Sequence, residues 1–333
     1  MKLSILDYAL IDEGKNAEQA LQDTTRLAKL ADQLGYHRFW LTEHHDVPAF
    51  AGSSPKLLML HLLNHTESIK LGSGGVMLPH YSPFKVAEQF KMLEALHPNR
   101  VDLGIGNNPG TTVVKRAMDE DKSAYLDYAQ SIEDLRHYLT SPSDEQRVGK
   151  VIVQPQLSRH PEMWLLSTSQ RSAKLAAMQG MGYTLGTFLL PSEDKIEAAK
   201  NSLATYRDHF QKTALNMAPK VMLTTFVIVT DDEGEAQQLL HALDVWLLGK
   251  RQFAEFERFP SIETAQHYKL SERDERVIAQ HRARILAGTL EQVKPRLDAM
   301  IQEFEADEVL VVPLLPGIEQ RCRTIELLAH AYL

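Results

Sequence analysis

The sequence predicts an α/β fold, specifically a (β/α)8 TIM barrel with a helical insertion after the seventh strand. Eight short apolar segments alternate with helical segments along the 333 residues. Most of these strands are continuous apolar runs, which are typical of parallel strands buried on both faces. The alternation is interrupted once, over about 231–283, where the chain is charged and helical. We therefore interpret residues 1–333 as one barrel domain; the alternative is an open sheet with a separate small helical domain.

The strand predictions rest on short runs of apolar and β-branched residues. In chain order they are LSIL (3–6), RFWLT (38–42), IKLGSGGVML (69–78), RVDLGIG (100–106), MWLLS (163–167), YTLGTFL (183–189), KVMLTTFVIVT (220–230) and EVLVV (308–312).

The helix predictions rest on apolar residues at helical spacing, with start and stop signals at the ends. Gly35 ends the first helix, a serine precedes the second, and proline lies near the start of the third. A polar loop is predicted after strand four. Thr289 and Gln292 form a T-x-x-Q capping box before the last barrel strand. The helical segments are 17–35, 53–66, 82–98, 123–139, 169–180, 194–210, 288–304 and 318–333.

Composition excludes several function classes. The net charge is −8 and no Lys/Arg-rich run is present, so nucleic acid and acidic membrane surfaces are not expected partners. Cys322 is the single cysteine, which excludes an intramolecular disulfide and a cysteine-based metal cluster. The N-terminal apolar run is too short for a signal sequence, and no segment approaches the length of a membrane span. These features predict a cytoplasmic protein.

The second strand ends in Glu43-His44-His45, at the edge where a barrel places its active site. Since successive strand residues point to opposite faces, Thr42 and His44 are expected to face the barrel mouth and Glu43 the helical layer. Adjacent histidines do not easily converge on one metal ion, so we predict no metal site. His44 by itself is compatible with a hydrogen-bonded structural histidine or with a catalytic one.

Glycines and hydroxyls follow the next strands. Gly74 and Gly75 indicate either a strand bulge or a close approach of the backbone to a ligand. The G-x-G after strand four lacks the third glycine of a dinucleotide fingerprint. Strand five ends in Ser167, Thr168 and Ser169 and runs directly into a helix that carries Arg171 and whose first amides lack partners. This segment is either a phosphate-binding turn or an ordinary helix cap.

Taken together, "LGYHRFWLTEHH", "KLGSGGVMLPHYSPFKVAEQFKMLEAL" followed by "RVDLGIG", and "LAGTLEQVKPRL" with "DEVLVV" resemble the bacterial luciferase-like flavin monooxygenases. The resemblance covers nearly the whole chain, includes the insertion, and is densest over 34–106. It implies a barrel that binds FMN, which a separate flavin reductase reduces, and that uses O2 to oxidise a small organic substrate. It also implies a homodimer, for which the helices after strands two and three are candidate interfaces.

The resemblance assigns roles by position. His44 matches the active-site histidine beside the flavin ring. Gly74 and Gly75 match a non-prolyl cis peptide that lies against the ring. The other implied cofactor contacts are Leu6, Thr42, Asn107, Ser167, Thr168, Ser169, Gln170 and Arg171, and the implied substrate pocket contains Asp7, His45, Pro109 and Thr187.

Two positions depart from the family pattern. Asn107 stands where many relatives carry an arginine that reaches the flavin phosphate, and Arg171 is a candidate replacement from the other side. Gly186-Thr187-Phe188 replaces the aromatic and histidine residues of close relatives, which leaves the substrate open and a deazaflavin possible in place of FMN. Two further hypotheses are a non-catalytic flavin-binding relative and an unrelated barrel enzyme such as a metal hydrolase.

Overall fold

Eight parallel strands close into a barrel in the computed structural model, which describes residues 1–119, 127–141, 147–190 and 193–333. Every strand except β8 belongs to the barrel, and the pairing of β6 with β7 closes the ring. The predicted (β/α)8 barrel is confirmed. The strands are β1 (Lys2–Asp7), β2 (Arg38–Leu41), β3 (Lys70–Met77), β4 (Val101–Gly106), β5 (Glu162–Leu166), β6 (Gly182–Gly186), β7 (Val221–Thr230), β8 (Ile285–Thr289) and β9 (Glu308–Val312).

The helices lie around the barrel and in the insertion. Their apolar faces pack on the outward-facing strand residues to form the larger of the two main hydrophobic clusters. They are α1 (Ala17–Gln33), α2 (Pro55–Leu63), α3 (Pro83–Leu96), α4 (Thr112–Asp119), α5 (Tyr128–Thr140), α6 (Gln170–Met178), α7 (Glu193–Asp208), α8 (Glu233–Leu247), α9 (Ile262–His267), α10 (Glu272–Arg282), α11 (Leu290–Phe304) and α12 (Ile318–Tyr332).

Two local predictions need correction, and a third reaches beyond the described residues. The polar loop predicted after strand four contains α4. The helix predicted over 123–139 is found from Tyr128, and its first residues lie outside the part that the structure describes. A ninth strand, β8, was missed because its sequence ILAGT is short and was interpreted only as the lead-in to α11. The predicted capping box at that helix is present, since the Thr289 amide donates to Gln292 Oε1 at 3.0 Å.

The long strand β7 serves two sheets in succession. Its first half, from Met222 to Phe226, pairs with β9 inside the barrel. Its second half, from Phe226 to Thr230, pairs with β8 above the barrel rim. The insertion, which contains α8, α9 and α10, therefore returns to the barrel through β8 and stands over the C-terminal ends of the strands.

Two tryptophans fill the barrel interior. Trp40 and Trp164 are buried and meet edge to face, with ring centroids 5.9 Å apart. The strands beside them carry glycine because a Cβ at Gly72 would overlap the Trp40 ring, and one at Gly182 would overlap the Trp164 ring. Packing therefore explains Gly72 and Gly182. In β3, a close approach of the backbone to a ligand is then an interpretation for Gly74 and Gly75 only.

Candidate active site

His44 follows β2 at the C-terminal edge of the barrel, at the junction of two cavities. Its ring lines both of them. It stacks on Tyr8, with centroids 5.2 Å apart and planes inclined by 22°, and it meets Phe50 at 5.4 Å. Tyr8 and Phe50 come from the loops after β1 and β2. Three neighbouring segments therefore fix the orientation of one imidazole.

The imidazole of His44 is neutral near pH 7. The residue is exposed, but its side chain lines the two cavities and is enclosed by protein there. Loss of bulk hydration lowers the pKa of His44 to about 4, and the nearby His45 adds a smaller effect in the same direction. A neutral imidazole offers one nitrogen that donates a hydrogen bond and one that accepts.

The polar cavity has a volume of about 600 Å³ and lies between the ends of β2, β3 and β4. One part of its wall is the main chain of Gly74. A Cβ on Gly74 would lie 2.5 Å from Leu6 Cδ1, and one on Gly75 would lie 2.8 Å from the Gly104 carbonyl oxygen. The peptide bond between Gly74 and Gly75 is cis. The Cβ positions of both glycines are occupied by protein atoms, so packing accounts for these glycines too, and Gly74 contributes main chain alone to the cavity wall.

The apolar cavity has a volume of about 380 Å³ and lies on the other side of His44. Aromatic side chains dominate its lining. Part of the wall comes from the barrel and part from the insertion, so the insertion helps determine what fits. The lining residues are Tyr8, His44, Val47, Phe50, Phe188, Phe226, Trp246, Leu247, Phe253, His281, Arg284, Ile285 and Leu314.

Glu43 holds the polar rim in place. Its Oε1 accepts from the Tyr81 hydroxyl at 2.7 Å and lies 3.1 Å from His45 Nε2. Its Oε2 accepts more weakly from the Met77 amide at 3.4 Å. The carboxylate is buried and joins the end of β2 to the segment after β3. The sequence analysis expected Glu43 to face the helical layer, whereas the structure places it in the lining of the polar cavity.

Two predicted cofactor contacts lie on the barrel side of the polar cavity. Thr42 is buried, and its hydroxyl has no hydrogen-bond partner among the described residues. Leu6 is buried inside the barrel and touches the position of a Gly74 Cβ. A buried hydroxyl without a partner is costly unless a ligand or water completes it. Neither residue lines the polar cavity directly, so a contact between the Thr42 hydroxyl and a ligand stays a prediction.

The segment after β5 is a helix cap with additional polar groups. Ser169 Oγ accepts from the Ser172 amide at 3.3 Å, and the Ser167 hydroxyl accepts from the Ser169 amide at 3.1 Å. Thr168 lies between them and is half-buried, and Gln170 donates to the Thr205 hydroxyl at 2.9 Å. This part of the segment forms an ordinary helix cap, which is one of the two interpretations that the sequence allowed.

Arg171 is the free cation of that segment. Its guanidinium is exposed and makes no hydrogen bond or ion pair with any residue that the structure describes. The amides of Gln170 and Arg171 are the first two of α6 and have no partners within the helix. The segment lies at the same edge of the barrel as His44, although it lines neither cavity.

Most of the other predicted residues also lie outside the two cavities, among them Asp7, Thr187, Asn107 and Pro109. The Asp7 carboxylate is on the α1 side of β1, where it accepts from the Thr24 hydroxyl at 2.7 Å and the Ala9 amide at 3.0 Å. Thr187 is buried and donates to the Thr224 carbonyl oxygen at 3.1 Å. Asn107 and Pro109 are exposed. Among the residues assigned to the substrate pocket, His45 alone lines a cavity.

The residues that the sequence analysis missed come mainly from loops and from the insertion. Asn108 and Gly110 line the polar cavity, whereas the predicted residues Asn107 and Pro109, which precede them in the chain, do not line it. Phe188 lines the apolar cavity, whereas the neighbouring Thr187, which was expected in the substrate pocket, does not. Trp246 and Phe253 had the signal of aromatic residues within a charged insertion, but sequence alone does not show that the insertion covers the barrel mouth.

The described part of the chain shows neither a metal-binding cluster nor a membrane-spanning helix. No group of three or more His, Cys, Asp or Glu side chains there is arranged to hold a metal ion. None of the helices it contains combines the length and apolarity that a bilayer crossing requires.

Comparison with known proteins agrees with this arrangement. Residues 1–308 match the profile of the family described as luciferase-like monooxygenase. An N-acetyl-S-alkylcysteine monooxygenase from Bacillus subtilis (strain 168) is 33% identical over 340 residues, covering 100% of this chain and 98% of the relative.

Solved structures share the fold of this chain. Apo-MsnO8 superposes with a TM-score of 0.83 at 30% identity, covering 99% of this chain and 97% of that one. At 16% identity, the fold alone is shared with two other proteins. One is the oxygenating constituent of 3,6-diketocamphane monooxygenase from Pseudomonas putida in complex with FMN (TM-score 0.70, covering 99% and 96%). The other is a coenzyme F420-dependent tetrahydromethanopterin reductase from Methanopyrus kandleri (TM-score 0.64, covering 99% and 99%). The chain belongs to the luciferase-like monooxygenase family.

Proposed function

We propose that this chain is the oxygenase component of a two-component monooxygenase, which oxidises a small organic substrate with O2 and reduced FMN. One observation carries the proposal: His44 joins a polar cavity, whose wall includes the main chain of Gly74, to an apolar cavity lined by aromatic side chains. The first suits a flavin ring and the second an organic substrate. The two ligands would then meet at the imidazole.

The chain's own groups would hold FMN in three places. The backbone at Gly74 and Gly75 would carry the ring, and the Thr42 hydroxyl would satisfy a polar atom at its edge. The hydroxyls after β5, with Arg171, would bind the phosphate through charge-assisted hydrogen bonds. When bound, reduced FMN supplies the electrons that activate O2.

His44 would act on oxygen at the ring through its neutral imidazole. Since the ring of His44 is neutral at pH 7, it can donate one hydrogen bond and accept another without adding charge to the cavity. The stack with Tyr8 holds that nitrogen in place, and the aromatic walls exclude water from the substrate side.

A separate flavin reductase is the proposed partner. The structurally similar protein from Pseudomonas putida is named an oxygenating constituent, which is the name of one part of a larger system. A nicotinamide-binding fingerprint is missing after β4, so this chain is better suited to receive reduced flavin than to produce it. FMN is proposed over a deazaflavin because two relatives, which share 33% and 30% of the sequence, are named monooxygenases.

A second candidate function is non-catalytic flavin binding. It is favoured by the exposed Asn107, which replaces a phosphate-binding arginine of the family and leaves the phosphate to Arg171. In this case the chain would bind oxidised and reduced FMN but would not consume O2 with any substrate.

A homodimer is proposed through α2 and α3. Leu57, Met92 and Leu96 are 72%, 51% and 56% exposed, and they belong to one apolar surface of these helices. A second copy of the chain would cover this surface. Light scattering should give twice the monomer mass, and a Leu57→Glu/Met92→Glu variant should give the monomer mass while keeping its FMN affinity.

Anaerobic titration with oxidised and reduced FMN tests the proposed function. Micromolar or tighter binding that is stronger for the reduced form supports it. Arg171→Ala should weaken FMN binding by about 10- to 100-fold, the range expected for losing a charge-assisted contact. Riboflavin, which lacks the phosphate, should bind both proteins equally. Lys174→Ala removes an exposed charge one turn later on α6 and should change neither affinity.

His44→Ala then separates the two candidate functions. The variant should bind FMN but alter the rate at which O2 consumes the reduced flavin, measured by stopped-flow absorbance. Failure of the parent protein to bind either form of FMN would refute both candidates. FMN binding with identical oxygen kinetics in parent and variant would favour the non-catalytic one.

A further inference from the structure

The apolar cavity contains one permanently charged side chain, Arg284. The remaining lining residues are hydrophobic or aromatic, apart from His44 and His281, and no carboxylate is among them. Arg284 lies between α10 and β8, at the point where the insertion returns to the barrel. An arginine in such surroundings needs an explanation, since its guanidinium stays protonated in proteins.

Arg284 has no anionic partner in the described part of the chain. Its guanidinium makes no hydrogen bond or ion pair with any residue in the described ranges. Burial lowers the pKa of Arg284, and no acidic neighbour acts against this effect. Two residues earlier, Arg282 pairs with the buried Asp244 at 2.7 Å. The chain thus pairs one arginine of this turn and leaves the other facing the cavity.

His281 supplies a second polar group at the same wall. It lies on α10, lines the cavity, and its Nδ1 is buried without a hydrogen-bond partner in the part of the chain that is described. Burial lowers the pKa of His281, and the positive charge of Arg284 lowers it further. A neutral imidazole can donate one hydrogen bond beside the guanidinium without adding a second charge.

We propose that the apolar cavity binds an organic acid, with its carboxylate on Arg284 and its apolar body against the aromatic walls. A guanidinium matches a carboxylate with two parallel hydrogen bonds, and His281 donates a third. The volume of about 380 Å³ lies at the small end of ligand pockets, which run from ~300 to 1,000 Å³. The acid is therefore small, of the size of an arylalkanoate or a medium-chain fatty acid.

The geometry also indicates which end of the acid reacts. Arg284 and His281 come from the insertion, whereas His44 is at the barrel rim where the two cavities join. A carboxylate held at Arg284 leaves the apolar end of the molecule free to extend towards His44. The assignment of this end as the site of oxidation rests on the proposed monooxygenase function; the binding of the acid does not.

Calorimetric binding to the full-length protein tests the proposal. The probes are 3-phenylpropionate, 4-phenylbutyrate and octanoate, each compared with its primary amide, which has the same shape without the charge. At least one acid should bind about 10- to 100-fold more tightly than its amide, which is the usual effect of a charge-assisted contact.

Substitutions at Arg284 test whether this residue causes the preference for the acid over its amide. Arg284→Met should remove the advantage of the acid while leaving amide binding unchanged, because the cavity walls remain. Arg284→Lys should retain part of it. Arg276→Met removes an exposed charge from α10, the helix that precedes Arg284, and this variant should behave as the parent protein does. The unchanged amide affinity distinguishes loss of an anion site from collapse of the cavity.

Three results would overturn the inference: no acid of the set binds, acid and amide bind equally, or Arg284→Met keeps the preference for the acid. The FMN titration is independent of this outcome. Acid binding that depends on Arg284 in a protein without FMN affinity would refute the proposed monooxygenase but keep the anion site.

Discussion

The two ends of the barrel differ in whether their polar groups have partners. At the N-terminal end the buried Arg38 guanidinium lies 2.8 Å from Asp102, 2.9 Å from Glu308 and 3.2 Å from Glu162. At the C-terminal end the Thr42 hydroxyl and the Arg284 guanidinium lack partners among the described residues, and His44 faces open cavities. Charges that face opposite charges stabilise the closed end, whereas groups without partners at the other end are available to ligands.

The largest effect is expected from breaking the closed end. Arg38→Met would leave the buried carboxylates of Asp102 and Glu308 without their counter-ion and should destabilise the protein by about 3–5 kcal/mol. Urea unfolding measures this, with soluble yield as a second readout if the variant does not fold. Arg323→Met, which removes an exposed pair with Asp231, should change stability little. Equal losses in the two variants would contradict the comparison.

An intermediate effect is expected in the middle of the barrel. Gly182→Ala would place a Cβ on the Trp164 ring and should cost about 1–3 kcal/mol, because overpacking forces the ring or the strand to move. The same substitution in a Trp164→Phe background should cost less, since the smaller ring leaves room. Urea unfolding of the four proteins gives the coupling energy. A coupling energy of zero would show that the glycine has another role.

The smallest effect is expected at the open end, in the pH dependence of stability. Because the pKa of His44 is lowered from 6.5 to about 4, the unfolded chain binds a proton there more readily than the folded protein. His44 therefore has no effect on stability above about pH 6.5 and reduces it as the pH falls towards 4. Urea midpoints measured from pH 8 to 4 should fall less in His44→Gln than in the parent. If the difference between the urea midpoints of the two proteins stays constant with pH, the lowered pKa of His44 is disproved.

Sequence analysis predicted the barrel well because its elements are determined locally. Continuous apolar strands, Gly35 after the first helix and Pro83 at the start of α3 are signals that act over a few residues. The strand β8 gave no such signal, since it exists because the second half of β7 offers it a partner. Pairing with a distant segment is not visible in a short run like ILAGT.

The candidate site was predicted in part. His44 could be located because a barrel puts strand ends at one edge, whichever residues follow. Asp7 was misplaced because one residue of register decides which face a side chain takes, and here the Thr24 hydroxyl draws the carboxylate to the helical side. Arg284 was not found, because its importance comes from the absence of a partner, which only the three-dimensional structure shows.

The division of β7 between two sheets has a consequence for how this protein can be remodelled. Because β7 pairs with β9 only up to Phe226, the barrel closes without help from the insertion. The segment that carries Trp246, Phe253 and Arg284 is joined through the upper half of β7 and β8. Chimeras that exchange this segment between relatives would keep a closed barrel and acquire a new cavity wall. Substrate preference can therefore diverge by segment exchange while the histidine and its backbone wall stay the same.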